Sequence, residues 1–177
     1  CRKRTILILD IRYLILNIIE IIEIPFRYRF GIFSLKKVPN LNLLPLQKFP
    51  ETMNTFEQFN LPKSLQKAID ELGLTTPTPI QERAFPVVMS GRDVMGIAQT
   101  GTGKTFAYLL PILKQWKFQA SHTPRVLILV PTRELVVQVA EEVVKLTTHM
   151  SVRTLGIYGG VNINTQKKAV YQGVDIL

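Results

Sequence analysis

The feature that most constrains this chain is an eight-residue stretch at 98–105, Ala-Gln-Thr-Gly-Thr-Gly-Lys-Thr. A short apolar run that predicts a strand precedes it, and a helical pattern follows it. Glycines in such a turn let backbone N–H groups converge on phosphate oxygens, and the helix N-terminus adds partial positive charge. The stretch therefore fits the P-loop pattern, with Ala98 at the place of the first glycine.

Two side chains of this loop are candidate catalytic residues. Lys104 is expected to reach the β- and γ-phosphates of a nucleotide. The Thr105 hydroxyl is expected to bind Mg²⁺, which makes Thr105 the candidate metal ligand. The rest of the loop is expected to hold the phosphates through Ala98, Gln99, Thr100, Gly101, Thr102 and Gly103. The alternative is a turn that binds nothing, and the loop alone leaves both ATP and GTP open.

The elements around the loop alternate between strand and helix. Helices are predicted over residues 61–73, 78–89, 104–116 and 132–147, with another helical stretch after 160. Strands are predicted over residues 93–97, 126–130, 152–158 and 174–177. The run at 126–130 is apolar throughout, which predicts a strand buried on both faces. The alternation predicts an α/β domain with a parallel sheet flanked by helices.

Residues 1–52 differ in composition from the rest of the chain. Residues 5–24 are rich in Ile and Leu, but charges at Asp10, Arg12, Glu20 and Glu23 argue against a membrane span. The residue types used here are those that an AT-rich reading frame favours. We therefore expect residues 1–52 to be translated upstream sequence outside the domain, with Met53 as the natural start and residues 53–177 as the domain. A genuine N-terminal extension is the alternative.

Charge and cysteine content restrict the function only weakly. The net charge is +9, but more than half of the excess lies in residues 1–52, so composition permits nucleic-acid binding without arguing for it. Cys1 is the only cysteine in the sequence, so neither an intrachain disulfide nor a thiolate metal cluster is expected. His122 and His149 have no second ligand at metal spacing. The expected setting is cytoplasmic, away from membranes.

A candidate adenine-binding segment lies upstream of the loop, at residues 77–81, Pro-Thr-Pro-Ile-Gln. The structural interpretation is a capping box, with Thr78 as N-cap and Gln81 at the third helical position. The functional interpretation is that the Gln81 carboxamide matches the N7 acceptor and N6 donor of adenine, whereas guanine shows two acceptors on that edge. Phe56 is a candidate for stacking on the base, and its alternative is core packing beside Phe59.

Together these motifs resemble the DEAD-box RNA helicase family. Phe56, the Pro-Thr-Pro-Ile-Gln run and the Ala-x-Thr-Gly-x-Gly-Lys-Thr loop occur in the order and spacing of the family's Q motif and motif I. The family also uses alanine at the first position of the loop. The resemblance implies a RecA-like P-loop NTPase domain that binds ATP and Mg²⁺, of which residues 53–177 form a part truncated at the C-terminus.

Two further elements resemble parts of the family that face RNA. Pro131, Thr132 and Arg133 resemble motif Ia, and a helix N-terminus with these side chains suits the phosphates of a single strand. The alternative is a cap followed by a solvated first turn. Gly159 and Gly160 resemble the Gly-Gly element, although such a pair often marks only a turn. Contacts of this kind reach the sugar-phosphate chain, so little sequence preference for RNA is expected.

The resemblance also implies what full activity requires. In the family, the Asp-Glu-Ala-Asp carboxylates and a second RecA-like domain with an arginine finger complete the ATPase, and the Asp-Glu-Ala-Asp sequence does not occur in these 177 residues. We expect the chain to bind nucleotide at most, and its full-length parent to be an ATP-dependent RNA helicase. The alternatives are a non-catalytic adenine-nucleotide and RNA-binding module, and another P-loop class such as a DNA helicase.

Overall fold

The computed structural model describes the backbone of residues 4–10 and 15–21, and the chain over residues 55–119 and 123–177. A 3-10 turn at Phe56–Phe59 precedes the helices of the second range. The described helices are α1 (Lys63–Glu71), α2 (Pro79–Met89), α3 (Lys104–Lys114), α4 (Arg133–Leu146) and α5 (Ile163–Tyr171). The described strands are β1 (Arg4–Asp10), β2 (Ile15–Ile21), β3 (Val94–Gln99) and β4 (Leu127–Leu129).

These strands form one sheet in the order β3, β1, β2, β4. β1 runs antiparallel to both β2 and β3, whereas β2 and β4 are parallel. Single parallel bridges also join Val126 to Ile176 and Thr154 to Ile176. The predicted α/β class is confirmed. The sheet is mixed where a parallel one was predicted, because β1 runs against both of its neighbours.

β1 and β2 come from residues 1–52, the segment that the sequence suggests lies outside the domain. The backbone of β1 pairs with that of β3 from Arg4 opposite Gln99 to Leu9 opposite Val94. β2 continues the sheet to β4, with Ile15 opposite Leu127. The boundary at Met53 lies outside the described residues. The interpretation of residues 1–52 as translated upstream sequence stays a prediction.

Two predicted strands are much shorter in the structure than their sequences suggest. Among the described residues, 152–158 and 174–177 contribute only the bridges at Thr154 and Ile176. β4 is also less buried than predicted, because Leu129 is 44% exposed. An apolar groove lined by residues of β4 and α4 lies beside this strand. The prediction of a strand buried on both faces is therefore wrong, because this groove leaves part of the strand uncovered.

The core fixes the position of α3, the helix that follows the loop. Leu109, Leu110 and Leu113 of α3 are fully buried, and a buried leucine stabilises a fold by about 1.5–3 kcal/mol. α3 packs against α2, which in turn packs against β3. Phe85 of α2 stacks on Phe59 with ring centroids 4.1 Å apart. The buried face of α3 is therefore held against α2 by packed side chains.

The carboxylate of Asp175 ties the last residues of the chain to their neighbours. The Arg153 guanidinium donates to both carboxylate oxygens, from Nε to Oδ2 and from Nη2 to Oδ1, each at 3.0 Å. The backbone N–H of Arg153 donates to Oδ2 at 2.9 Å, and Arg125 Nη2 lies 3.8 Å from Oδ1. Asp175 is 1% exposed. The hydrogen bonds from the Arg153 side chain are the main reason that the pKa of Asp175 lies below its usual range.

Replacing Asp175 by Asn is expected to destabilise the fold at neutral pH and much less in acid. Because the pKa of Asp175 is lowered in the folded chain, its stabilisation is complete above the unfolded value of about 3.9. That stabilisation is lost as the pH falls through the folded value. Urea unfolding at pH 7 is expected to show a loss of about 1–3 kcal/mol for Asp175→Asn.

The control for this measurement is Asp70→Asn, which removes an exposed carboxylate that accepts a hydrogen bond from Gln66. Its free energy of unfolding at pH 7 is expected to change by less than about 0.5 kcal/mol. A deficit for Asp175→Asn that keeps its full size at about pH 2 would contradict a role for the ionised carboxylate.

Candidate nucleotide-binding site

The loop at 98–105 has the strand-turn-helix geometry that its sequence predicts. β3 ends at Gln99 and α3 begins at Lys104. Gly101 and Gly103 have φ angles of 81° and 74°, a region that L-residues with a Cβ rarely adopt. The glycines are therefore required by the backbone path, which turns the chain directly into the N-terminus of α3.

The Lys104 side chain folds back over this loop. Its Nζ donates to the Ala98 carbonyl at 3.3 Å and to the Gln99 carbonyl. The Thr102 hydroxyl donates to the same Gln99 carbonyl at 2.7 Å. Lys104 as a whole is half-buried and is the first residue of α3. An anion that reaches this ammonium has to compete with two neutral carbonyls, which are weaker acceptors than a charged phosphate oxygen.

Gln81 connects the start of α2 to this loop and is 4% exposed. Its Oε1 accepts from the backbone N–H of Thr78 at 2.9 Å, which is half of the predicted capping box. Its Nε2 donates to the Gly103 carbonyl at 3.1 Å. The Thr78 hydroxyl, which the sequence suggests only as a cap, donates to the Thr102 carbonyl at 2.8 Å. Gln81 therefore has a structural role and also contacts the loop, and its role in binding adenine stays a prediction.

Phe56 is buried in a cluster of aromatic rings. It is 2% exposed and packs edge-on against Phe59, with ring centroids 5.8 Å apart. Phe59 in turn stacks on Phe85. This arrangement is the core-packing alternative considered for Phe56, and the structure gives the ring no exposed face. Stacking of Phe56 on a base stays a prediction that requires the 3-10 turn to open.

The predicted metal ligand, Thr105, is the second residue of α3 and is half-buried. No group of three or more His, Cys, Asp or Glu side chains suited to a metal ion occurs in the described part of the chain. The role of Thr105 as a metal ligand stays a prediction. His149 pairs with Glu71 at 2.8 Å, and His122 lies outside the described residues.

The residues that resemble RNA-facing motifs come together at the start of α4. The Thr132 hydroxyl accepts from the backbone N–H of Leu135 at 3.3 Å, as predicted for an N-cap. Arg133 Nη1 donates to the Gly159 carbonyl at 3.4 Å. A Cβ added at Gly160 would lie 2.8 Å from the same nitrogen. Pro131 is exposed beside them, so these residues form one continuous exposed surface, which we call the α4 corner.

Glu134 places a negative charge beside the α4 corner. Its own backbone N–H and the Thr132 side chain hold the pKa of Glu134 below its usual range. An ionised carboxylate in the first turn stabilises α4 through the helix dipole. It also reduces the positive potential that Arg133 offers to an anion.

The fold and the loop together define the class of this protein. A glycine turn with positive φ angles, placed between a strand and the N-terminus of a helix in an α/β layer, is typical of P-loop domains. The profile of the DEAD/DEAH box helicase family matches residues 78–177, which is more than half of the chain. The chain belongs to the DEAD/DEAH box helicase family.

Individual relatives agree with this assignment. Over 132 residues the chain is 45% identical to DEAD-box ATP-dependent RNA helicase 30 of Arabidopsis thaliana, covering 72% of this chain and 22% of that protein. It is 41% identical to DEAD-box ATP-dependent RNA helicase RhpA of Helicobacter pylori, over 70% of this chain and 25% of that protein. The chain thus spans about a quarter of the length of these curated relatives.

Solved structures give the same result. The RNA helicase Prp28 from Chaetomium thermophilum bound to ADP is similar with a TM-score of 0.62 at 37% identity, over 72% of this chain and 32% of that one. A DEAD box protein from Methanococcus jannaschii is similar with a TM-score of 0.60 at 29% identity, over 70% of this chain and 34% of that one.

None of the helices within the described ranges is long and apolar enough to cross a membrane.

Gly101→Ala and Gly103→Ala are a matched pair that tests the contact between Gln81 and the loop. Both positions have positive φ, so alanine is strained by about 1–2 kcal/mol at either one. A Cβ at Gly101 would meet nothing within 4 Å, whereas a Cβ at Gly103 would overlap Gln81 Nε2. We expect Gly103→Ala to lose about 1–2 kcal/mol more in urea unfolding than Gly101→Ala. Equal losses of unfolding free energy in the two variants would contradict a fixed contact, since they would show that the Gln81 side chain moves aside at no cost.

Proposed function

We propose that this chain supplies the ATP-binding part of an ATP-dependent RNA helicase. The observation that carries the proposal is the hydrogen bond from Gln81 Nε2 to the Gly103 carbonyl. It supports the proposal because the Gln81 carboxamide, whose donor and acceptor are complementary to adenine N7 and N6, contacts the loop that we propose binds the phosphates. The two relatives from Arabidopsis thaliana and Helicobacter pylori are both named ATP-dependent RNA helicases. These names support ATP-dependent RNA helicase activity for the whole protein.

The proposed nucleotide site uses the loop for the phosphates. The N-terminus of α3 carries partial positive charge, and its first residue, Lys104, adds an ammonium, a combination that favours a polyphosphate. Phosphate oxygens accept charge-assisted hydrogen bonds more strongly than carbonyls, so Lys104 is proposed to leave Ala98 and Gln99 when nucleotide binds. Thr105 is the proposed ligand of the Mg²⁺ that accompanies the nucleotide.

The proposed base site uses the hydrogen-bonding capacity of the Gln81 carboxamide beyond its bonds to Gly103 and Thr78. An amide side chain has two N–H donors and two acceptor lone pairs. One donor goes to the Gly103 carbonyl and one lone pair to the Thr78 N–H, which leaves one of each. The second donor and lone pair suit adenine N7 and N6. Guanine offers no matching donor on that edge, so ATP is the proposed nucleotide.

RNA is the proposed partner of the α4 corner. The N-terminus of α4, the Arg133 guanidinium and the exposed glycines are all suited to phosphate groups, which carry no sequence information. Little sequence preference is therefore proposed. The complete reaction also requires catalytic carboxylates and a second RecA-like domain, which the family resemblance implies for the whole protein. RNA remodelling is accordingly a proposed activity of the whole protein.

Nucleotide binding is tested with the 177-residue chain by isothermal titration calorimetry with MgADP. The chain is expected to bind, and Lys104→Ala is expected to weaken the affinity by about tenfold to a hundredfold, because a hydrogen bond to a charged group contributes about 1.5–3 kcal/mol. The control is Lys145→Ala, which removes an exposed lysine from the last turn of α4. An affinity that is the same in wild type and Lys104→Ala would contradict the proposed site.

A further inference from the structure

A side chain outside the proposed RNA site holds the turn at Gly159 and Gly160 in place. Gln166 lies in the middle of α5 and is the buried residue of that helix, 9% exposed. Its Oε1 accepts from the Tyr158 backbone N–H at 3.1 Å, and its Nε2 donates to the Tyr158 carbonyl at 3.2 Å. One side chain therefore satisfies both backbone polar groups of the residue that precedes the glycines.

The turn in turn positions Arg133. The Gly159 carbonyl accepts from Arg133 Nη1, and Gly160 has a φ of 85° with that nitrogen 2.8 Å from where a Cβ would lie. A side chain at Gly160 would therefore overlap the guanidinium of Arg133. A shift of the turn by about an ångström would break the 3.4 Å contact between Arg133 and Gly159, because hydrogen bonds weaken steeply beyond that length.

We propose that Gln166 is a positioning residue for the phosphate contacts of the α4 corner. It fixes Tyr158, Tyr158 fixes the glycine turn, and the turn fixes the guanidinium of Arg133. The inference rests on the proposed role of the α4 corner in RNA binding. Lys167 and Lys168 follow Gln166 but are exposed, so they do not share its contacts with the backbone of Tyr158. The competing role for Gln166 is simply to anchor α5 to the rest of the domain.

Three variants separate these roles. Gln166→Met keeps the side-chain length and removes both hydrogen bonds, whereas Gln166→Glu keeps an oxygen that accepts from Tyr158. Gln172→Ala is the control, because Gln172 is an exposed glutamine just after the same helix. The amide hydrogen exchange of Tyr158 is measured first, by NMR. It is expected to be faster by about tenfold or more in Gln166→Met and to stay slow in Gln166→Glu and in Gln172→Ala.

RNA affinity is measured next, by fluorescence anisotropy with a labelled single-stranded RNA of mixed sequence and MgADP present. Gln166→Met is expected to bind about fivefold to tenfold more weakly than wild type, with unchanged affinity for MgADP. In an Arg133→Ala background the same change is expected to have little further effect, because the two residues act through one contact. If Gln166→Met does not fold, Gln166→Leu takes its place, because it also removes both hydrogen bonds without adding charge, and the same fivefold to tenfold loss of RNA affinity is expected.

Each contrary result has a distinct meaning. RNA affinity equal to wild type in Gln166→Met, together with fast exchange at Tyr158, would overturn the positioning role. Parallel losses of RNA and MgADP affinity would also overturn it, since they indicate an anchor for the whole domain. Equal RNA binding by wild type and Arg133→Ala would instead overturn the proposed function of the α4 corner, and the role of Gln166 in RNA binding with it.

Discussion

The hydrogen bond from Gln81 Nε2 to the Gly103 carbonyl is the contact on which the geometry of the candidate site depends. Together with the bond from the Thr78 hydroxyl to the Thr102 carbonyl, it joins the first turn of α2 to the loop before α3. Leaving such a buried group without a partner costs about 1–3 kcal/mol, so the two helix N-termini behave as one unit. A change at either N-terminus is therefore expected to reach the other without passing through the core.

The α4 corner has a similar arrangement of contacts in another part of the fold. There, too, a helix N-terminus meets a glycine with positive φ, and a buried glutamine holds the adjoining backbone. Asp175 fixes the neighbouring segment through Arg153, which keeps Ile176 between Val126 and Thr154. In both places glycine is needed because another residue approaches the backbone closely, and a glutamine provides a donor and an acceptor from a single side chain.

Sequence patterns predict the parts of this structure that local physics decides. The strand-turn-helix order of the loop follows from glycine spacing, and the Thr132 cap follows from its position before an amphipathic run. The pairing of β1 with β3 was not predicted, because residues 5–24 show no clear period. Burial of Phe56 and the bond from Gln81 to Gly103 depend on tertiary packing, which a capping-box pattern does not contain. Gln166 was missed because a single glutamine in a short helix gives no signal of burial.

Recognition of adenine by Gln81 is tested most directly by following its side-chain NH₂ resonances in nitrogen-15 NMR spectra while MgADP or MgGDP is added. Titration with MgADP is expected to shift the Gln81 side chain and the backbone amides of the loop with the same dissociation constant. MgGDP is expected to bind about tenfold more weakly or worse, because its base lacks the matching donor. Loop amides that shift with MgADP while the Gln81 resonances stay unmoved would contradict a role for Gln81 in binding the base.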